Sequence, residues 1–407
     1  MSGSSLVFWD EHATGYDFGL GHPMRPLRLE LTMALARGVS LFDAPGVRVS
    51  AAGPAEEEQL TRVHTPAYIG AVRRASAGEA TPAFGLGTAD NPIFPGMHQA
   101  ASAAAGASVA AAQALWRGEA EHAVNLAGGL HHAMPAAASG FCVYNDGAVA
   151  IAELLAAGAT RVAYVDLDAH HGDGVQHAFY TDPRVLTISL HQTGLTLWPG
   201  TGFPGESGAG DARGMSVNVA LPGGTGDAGW LRAFTAVVPP LLRAFEPQVL
   251  VTQFGCDGHR LDIMSDLELS VDGMRTAYRI LHELAHEVAA GRWLVLGGGG
   301  YESIRVVPRA WCHALSEVVG VPLPADAPPQ WVTAAQAHTA RPVPAALHDG
   351  PEVGYEPWQW GAGSPSRAVD RAVMATRKAV FPENGLDVMA EGGEVCPRCV
   401  EPTPSVR

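Results

Sequence analysis

The sequence predicts an α/β fold built on an open parallel β-sheet with helices on both faces, a three-layer α/β/α arrangement. Short runs rich in Val and Leu recur along the chain, separated by longer segments of helical character. The polar residues capable of chemistry fall just past the ends of those runs, where open α/β sheets collect their ligands.

In chain order the apolar runs span residues 6–9, 123–126, 161–167, 185–191, 248–254 and 292–296. Their near-continuous apolar character suits strands buried on both faces. Helices are predicted near 26–36, over the Ala-rich stretches 97–115 and 148–157, and over 228–245 and 271–289. No internal repeat is evident. Residues 1–320 read as one catalytic unit. Past residue 320 the chain turns Pro-rich (PLPADAPPQ, RPVPAALHDGPEVGYEPWQW), so 321–407 is expected to be an extension, either wrapped on the core or partly disordered.

A chain of 407 residues with 47% hydrophobic and 16% charged content can bury a large core. Its formal charge of −15 argues against nucleic acid as a partner and favours a basic substrate. Five scattered cysteines argue against a disulfide framework and for a reducing compartment, so a cytoplasmic location is expected. Neither an export signal nor a membrane-spanning run is visible. Cys396 and Cys399, in EVCPRCVEP, read as reduced thiols in a solvent-exposed tail, with half of a zinc site as the alternative.

The strongest chemical signal is VDLDAHHGDG, residues 165–174. Asp168 and His170 are separated by one residue, so on an extended strand end both side chains point the same way. With Asp166, His171 and Asp173 they place five ionisable groups within eight positions, which is costly unless something such as a metal organises them. Asp257, in VTQFGCDGHRLD past another apolar run, supplies a third ligand. Two carboxylates and one imidazole neutralise a divalent ion and leave a coordination position open, which is a catalytic ligand count. Zinc is the default; Fe²⁺ or Mn²⁺ also suits a carboxylate-rich set.

Two further signals gain weight beside the first. AGGLHHAM places His131 and His132 in a Gly-flanked loop after a strand, where a neutral imidazole can accept a proton from water. Asp166 and Asp173 are available to fix the imidazole tautomers. LVLGGGGYES leads four glycines into Tyr301, lacks the Lys-Ser/Thr of a phosphate loop, and reads as close backbone packing that delivers a phenol as hydrogen-bond donor.

Together these motifs, with SLH at 189–191, resemble the histone deacetylase superfamily, which shares its fold with arginase. The resemblance keeps the family's order over about residues 8–320. YDFGLGHPMRPLRLELT and GLGTADNPIFPGM look like its acetoin-utilisation (AcuC-type) branch, close to class I. The resemblance implies a zinc-dependent lysine deacetylase in which Asp168, His170 and Asp257 bind zinc. It implies His132 as general base and then acid, and Tyr301 as the group polarising the acetyl carbonyl. His131 with Asp166 would act electrostatically, and Asp173 would orient His132. Phe141, Gly140 and Trp198 would wall a narrow acyl-lysine tunnel, Asp90 would grip the substrate backbone at the rim, and Arg28 would line an internal acetate pocket. Trp198 departs from the Phe usual in class I.

A K⁺ or Na⁺ ion is implied near Asp166, Asp168, His170, Ser189 and Leu190. A second monovalent site near Phe179 and Val185 is put in doubt by Asp182. The implied partner is an acetylated protein, an acyl-CoA synthetase being a reasonable expectation, acted on by a monomer or homodimer. Three alternatives stand: an acetylpolyamine deacetylase, which shares every catalytic residue; an arginase-type amidinohydrolase, for which Asp262 is not the close second carboxylate needed; and a silent acetyl-ligand binder.

Overall fold

The computed structural model describes residues 4–351, 353–358 and 367–389; Cys396 and Cys399 lie outside them. One eight-stranded sheet, parallel throughout, forms its centre. Its strands are β1 (Ser5–Phe8), β2 (Val47–Ser50), β3 (His122–Asn125), β4 (Val162–Asp166), β5 (Val185–Gln192), β6 (Ser216–Leu221), β7 (Val249–Gln253) and β8 (Trp293–Leu296). The order across the sheet is β2-β1-β3-β8-β7-β4-β5-β6. All but β2 and β6 match expected apolar runs to within one residue at each end. β2 and β6 occupy the edges, and their sequences, VRVS and SVNVAL, are too polar to stand out as apolar runs.

The helices are α1 (Leu27–Gly38), α2 (Glu57–Leu60), α3 (Pro66–Ser76), α4 (Met97–Trp116), α5 (Asp146–Ala156), α6 (Asp173–Phe179), α7 (Asp227–Phe245), α8 (Val271–Val288), α9 (Val307–Val319), α10 (Pro329–Gln336) and α11 (Ala368–Val380). Side chains alternate across the sheet. On β4, Ala163 and Val165 join the core shared with α7, α8 and α9, while Val162 and Tyr164 join the core shared with α4 and α5. A third apolar cluster, with Tyr16, Phe18, Tyr68, Phe94 and Tyr144, takes in α3 and part of α4, and Phe141 and Tyr301 pack against it.

Past residue 320 the chain carries two helices that the sequence reading does not anticipate. Trp331 and Ala335 of α10 and Val373, Met374 and Val380 of α11 are buried in the core beside α7 to α9. Proline and short loops break up their periodicity, yet each presents one apolar stripe to the molecule. Polar groups fasten the same segment. Asp349 accepts hydrogen bonds from Arg309 Nη1 (2.7 Å), His259 Nε2 (2.6 Å) and the Val271 amide (2.9 Å). Asp272 accepts in return from the amides of Asp349 and Gly350. Although burial opposes it, the donation from His259 and the charge of Arg309 hold the Asp349 carboxyl well below the usual carboxylate range.

Removing one partner of a buried pair leaves the other charge stranded, so Asp349→Ala is expected to cost about 3–5 kcal/mol in urea denaturation. Because the folded-state pKa is depressed, this contribution is complete above the unfolded carboxylate pKa of about 3.9 and is lost as the pH falls further. The difference between wild type and variant should therefore shrink in acid. A constant difference down to pH 2 would contradict the assignment.

Candidate active site

Four adjacent strands, in the order β3-β8-β7-β4, end on the same side of the sheet, and each hands one part of the site to the chain that follows it. His131 and His132 come after β3, Tyr301 after β8, Asp257 after β7, and Asp168 and His170 after β4. Residues up to 170 positions apart in sequence thereby converge without any long loop having to fold over them.

Asp168, His170 and Asp257 are buried and bring one ligand atom each to within 4.8 Å of the others. His170 Nδ1 lies 2.8 Å from Asp257 Oδ2 and 3.2 Å from Asp168 Oδ1. The remaining carboxylate oxygens are already committed. Asp168 Oδ2 accepts from Gln253 Nε2 (2.8 Å) and the Gly299 amide (2.7 Å), and Asp257 Oδ1 accepts from the Ala169 amide (2.8 Å). These bonds leave one oxygen of each acid facing His170, whose own amide also donates to Asp168 Oδ1 at 3.0 Å. Two buried carboxylates with one imidazole carry the charge that a divalent cation cancels, so the donor set fits such an ion.

The glycine run before Tyr301 has a steric reason. A Cβ on Gly299 would run into Asp257 Oδ2 and Asp168 Oδ2, so only glycine lets this backbone donate to Asp168 from so close. Arg28 supports the run from below. Its Nη1 donates to the carbonyl oxygens of Gly298 (2.8 Å) and Gly300 (3.1 Å), and its guanidinium lies 5.0 Å from the Trp311 ring centroid.

The histidine pair is held by separate carboxylates. His131 Nδ1 lies 2.8 Å from Asp166 Oδ2, and His132 Nδ1 lies 2.6 Å from Asp173 Oδ1. Burial works against a charge on His131, but Asp166 and Asp168 outweigh it and lift its pKa to about 9. Burial and the neighbouring His131 push His132 down to about 4 against the pull of Asp173. Adjacent imidazoles are thus driven apart: one favours its charged form and the other stays neutral with Nε2 free to accept a proton. The Tyr301 phenol is raised well above 10 by burial and by Asp257 and Asp168, so it keeps its proton for donation.

A cavity of about 260 Å³ opens over these groups, lined by Asp90, His132, Gly140, Phe141, His170, Leu197, Trp198, Met264 and Tyr301. The Trp198 ring meets His132 edge-on at 4.6 Å, and Phe141 meets Tyr301 at 5.7 Å. Gly140 has φ +52°, and a Cβ there would lie 2.5 Å from the His132 ring and 2.6 Å from Trp198. Phe141 has φ +67°, rare for a non-glycine residue, and Tyr16 Oη ties its carbonyl at 2.8 Å. Asp90 is exposed at the mouth, with its carbonyl 3.2 Å from His22 Nε2.

Arg28, expected to serve an acetate pocket, and Ser189 and Leu190, expected to serve a monovalent ion, lie outside this cavity. Arg28 is 3% exposed behind the glycine run and lines neither this cavity nor a larger one of about 360 Å³ between α4 and the first strand. His171 points elsewhere, to Thr201 Oγ1 and Gln176 Oε1. Ser189 and Leu190 lie on β5, where Ser189 pairs with Asp166 of β4, and the Ser189 hydroxyl is 2.8 Å from His191 Nδ1.

Sequence reasoning missed several supporting groups. Asp262 Oδ2 accepts from the amides of Tyr301 (2.7 Å) and Glu302 (3.0 Å), so this acid fixes the backbone that carries the phenol. Asp146 accepts from the Gly129 and Leu130 amides and from Ser108 Oγ, while Asn145 Nδ2 donates to the carbonyls of His131 and Ala133. The clue to Asp146 was a lone acid in an otherwise apolar helix start, YNDGAVA.

Comparison with known proteins points to one family. A histone deacetylase domain model matches residues 22–318. The acetoin utilization protein AcuC of Bacillus subtilis (strain 168) is 40% identical over 353 residues, covering 86% of this chain and 90% of that protein. The protein of the same name from Staphylococcus xylosus is 33% identical over 342 residues, covering 83% and 88%. The crystal structure of an HDAC homolog complexed with SAHA superposes with a TM-score of 0.79 at 30% identity, covering 92% of this chain and 99% of that one.

A cation entering between Asp168, His170 and Asp257 must displace a proton. Burial disfavours charge on His170, but Asp257 and Asp168 raise its pKa to about 10. Burial and the Asp168 charge also raise the Asp257 carboxyl to about 7, so binding of Zn²⁺ or Co²⁺ near pH 7.5 should release at least one proton per ion at this site, and the affinity should fall about tenfold per pH unit toward acid and more steeply below about pH 7. Calorimetry in buffers of different ionisation enthalpy reads that number directly; binding without proton release would contradict it.

Proposed function

The chain belongs to the histone deacetylase family, of the acetoin-utilisation type, and from that premise we propose that it hydrolyses the acetyl amide of N-ε-acetyl-lysine in proteins, with zinc as its cofactor. The observation that carries this reading is the convergence of His132, Tyr301 and His170 on one cavity of about 260 Å³, with Asp168 and Asp257 grouped around His170. Zinc held by those three residues would supply Lewis-acid polarisation of the acyl oxygen and a more acidic water.

The chain's own residues do the rest. His132 accepts a proton from the attacking water at Nε2, because Asp173 holds the proton on Nδ1. The Tyr301 hydroxyl donates to the acyl oxygen as negative charge grows on it, an interaction stronger in the transition state than in the ground state. His132, now charged, returns its proton to the departing amine, so no covalent acyl-enzyme is needed. His131, charged and paired with Asp166, keeps the neighbouring pKa low so that the return of the proton is downhill.

Phe141 and Trp198 face the cavity with ring surfaces that suit the methylenes of a lysine side chain, and Asp90 at the mouth can accept from a peptide backbone amide. The net charge of −15 favours lysine-rich surfaces. An arginase-type pair of metals is disfavoured because Asp262 is spent on the amides of Tyr301 and Glu302.

Turnover of an acetyl-lysine peptide and of acetylputrescine, side by side on metal-stripped and zinc-restored protein, tests the proposal. Peptide turnover restored by zinc supports it; turnover of acetylputrescine alone moves the reading to a polyamine substrate, and turnover of neither overturns it. Tyr301→Phe should lower kcat by on the order of 10² to 10³ while leaving zinc content unchanged. A Tyr301→Phe protein with full turnover would remove the phenol from the mechanism.

A further inference from the structure

A second group of three metal-capable side chains lies away from the cavity. His122 opens β3, and His282 and His286 stand one helical turn apart on α8; their ligand atoms all fall within 4.8 Å of one another. Because every strand is parallel and the active site follows the strand ends, His122 marks the opposite, amino-terminal side of the sheet, about 10 Å from the far end of β3 at 3.3 Å per residue.

The hydrogen-bond arithmetic within this group does not close. His122 Nδ1 lies 3.1 Å from the Gly291 carbonyl, which only accepts, so Nδ1 carries the proton and a neutral His122 presents a lone pair at Nε2. His282 Nε2 lies 3.1 Å from His122 Nε2 and 3.1 Å from His286 Nε2. One proton on His282 Nε2 can make one linear hydrogen bond, so it cannot serve both contacts well. A cation at the centre would serve all three lone pairs. In a tetrahedral site with metal–nitrogen bonds of about 2.0–2.1 Å, ligand nitrogens stand about 3.3 Å apart, close to both spacings.

The surroundings favour the same reading. His282 Nδ1 has a carboxylate oxygen of Glu317 at 3.8 Å, a negative charge beside the group that favours a bound cation. Trp293 stacks on the His282 ring at 5.3 Å with 12° between planes, fixing its orientation. Burial, together with the neighbouring imidazoles, lowers the pKa of His122 to about 4, and burial with His282 lowers that of His286, so both favour the neutral form that binds metals.

We infer that His122, His282 and His286 form a second metal site, selective for divalent transition ions of the zinc, cobalt and nickel class, which clamps α8 to the start of β3. Three imidazoles and no carboxylate make it softer than the site of Asp168, His170 and Asp257, so it should reject Mg²⁺ and Ca²⁺. His286 is exposed, so the remaining coordination position opens to solvent. The inference stands apart from the deacetylase reading, since it uses none of the residues of that cavity.

The test is titration of the metal-stripped, full-length chain with Co²⁺ under reducing conditions, followed by visible d–d absorption and by thermal melting. The wild type is expected to bind two ions per chain, as is Cys396→Ser/Cys399→Ser, which separates this site from the terminal cysteine pair. Asp257→Ala should retain the histidine-bound ion and its rise in Tm. His286→Gln, a surface change that leaves the core intact, should weaken that ion at least tenfold, and His282→Asn should abolish it, with turnover of the zinc-loaded enzyme within twofold of wild type for His286→Gln. One Co²⁺ per wild-type chain that disappears with Asp257→Ala, or a His286→Gln chain that binds both ions with unchanged affinity, would overturn the inference.

Discussion

Two carboxylates and an imidazole buried together are expensive, and much of the surrounding structure answers that cost. A pair of desolvated acids is tolerated only where donors and a positive partner compensate them. Here Gln253, the Gly299 amide and the Ala169 amide each take one carboxylate lone pair, leaving one oxygen of each acid to face His170. The need for the Gly299 amide to come so close explains why that position bears no side chain, and Arg28 beneath the run satisfies the carbonyls that the same close approach turns inward.

The same charge organises the proton chemistry. Asp166 anchors His131 and also accepts from the Tyr164 hydroxyl and the Asp168 amide, so the strand end that carries the ligands carries the histidine partner as well. His131 then sets His132 through a ring-to-ring separation of 4.0 Å. One strand thereby ties the groups proposed to bind the metal to those proposed to transfer the proton. Asp262 does the corresponding work for Tyr301 from the loop after β7.

Much of this was legible in the sequence because parallel strands buried on both faces leave an apolar signature, and because polar residues at their ends are few and conspicuous. Asp168, His170, Asp257, His131, His132 and Tyr301 were singled out by that rule, and the folded chain brings them together at one end of the sheet. The edge strands β2 and β6 were not legible, since exposed Arg48 interrupts one and buried Asn218, whose Nδ2 donates to Gln176 Oε1 and the Glu206 carbonyl, interrupts the other. α2, α3 and α6, of four to eleven residues, are too short for their periodicity to stand out, and glycines and prolines beside α9, α10 and α11 break up theirs. Supporting groups such as Asp146, Asp262 and Gln253 carry no spacing signature at all; their importance comes from backbone amides that only the folded chain brings to them.

The central claim is that Asp168, His170 and Asp257 form one ligand set for a single divalent ion. Anomalous diffraction at the zinc edge from crystals of the zinc-loaded chain tests it most directly. The account predicts a peak within about 2.0–2.2 Å of His170 Nδ1, Asp168 Oδ1 and Asp257 Oδ2. Crystals with zinc density elsewhere and none among these three side chains would contradict it.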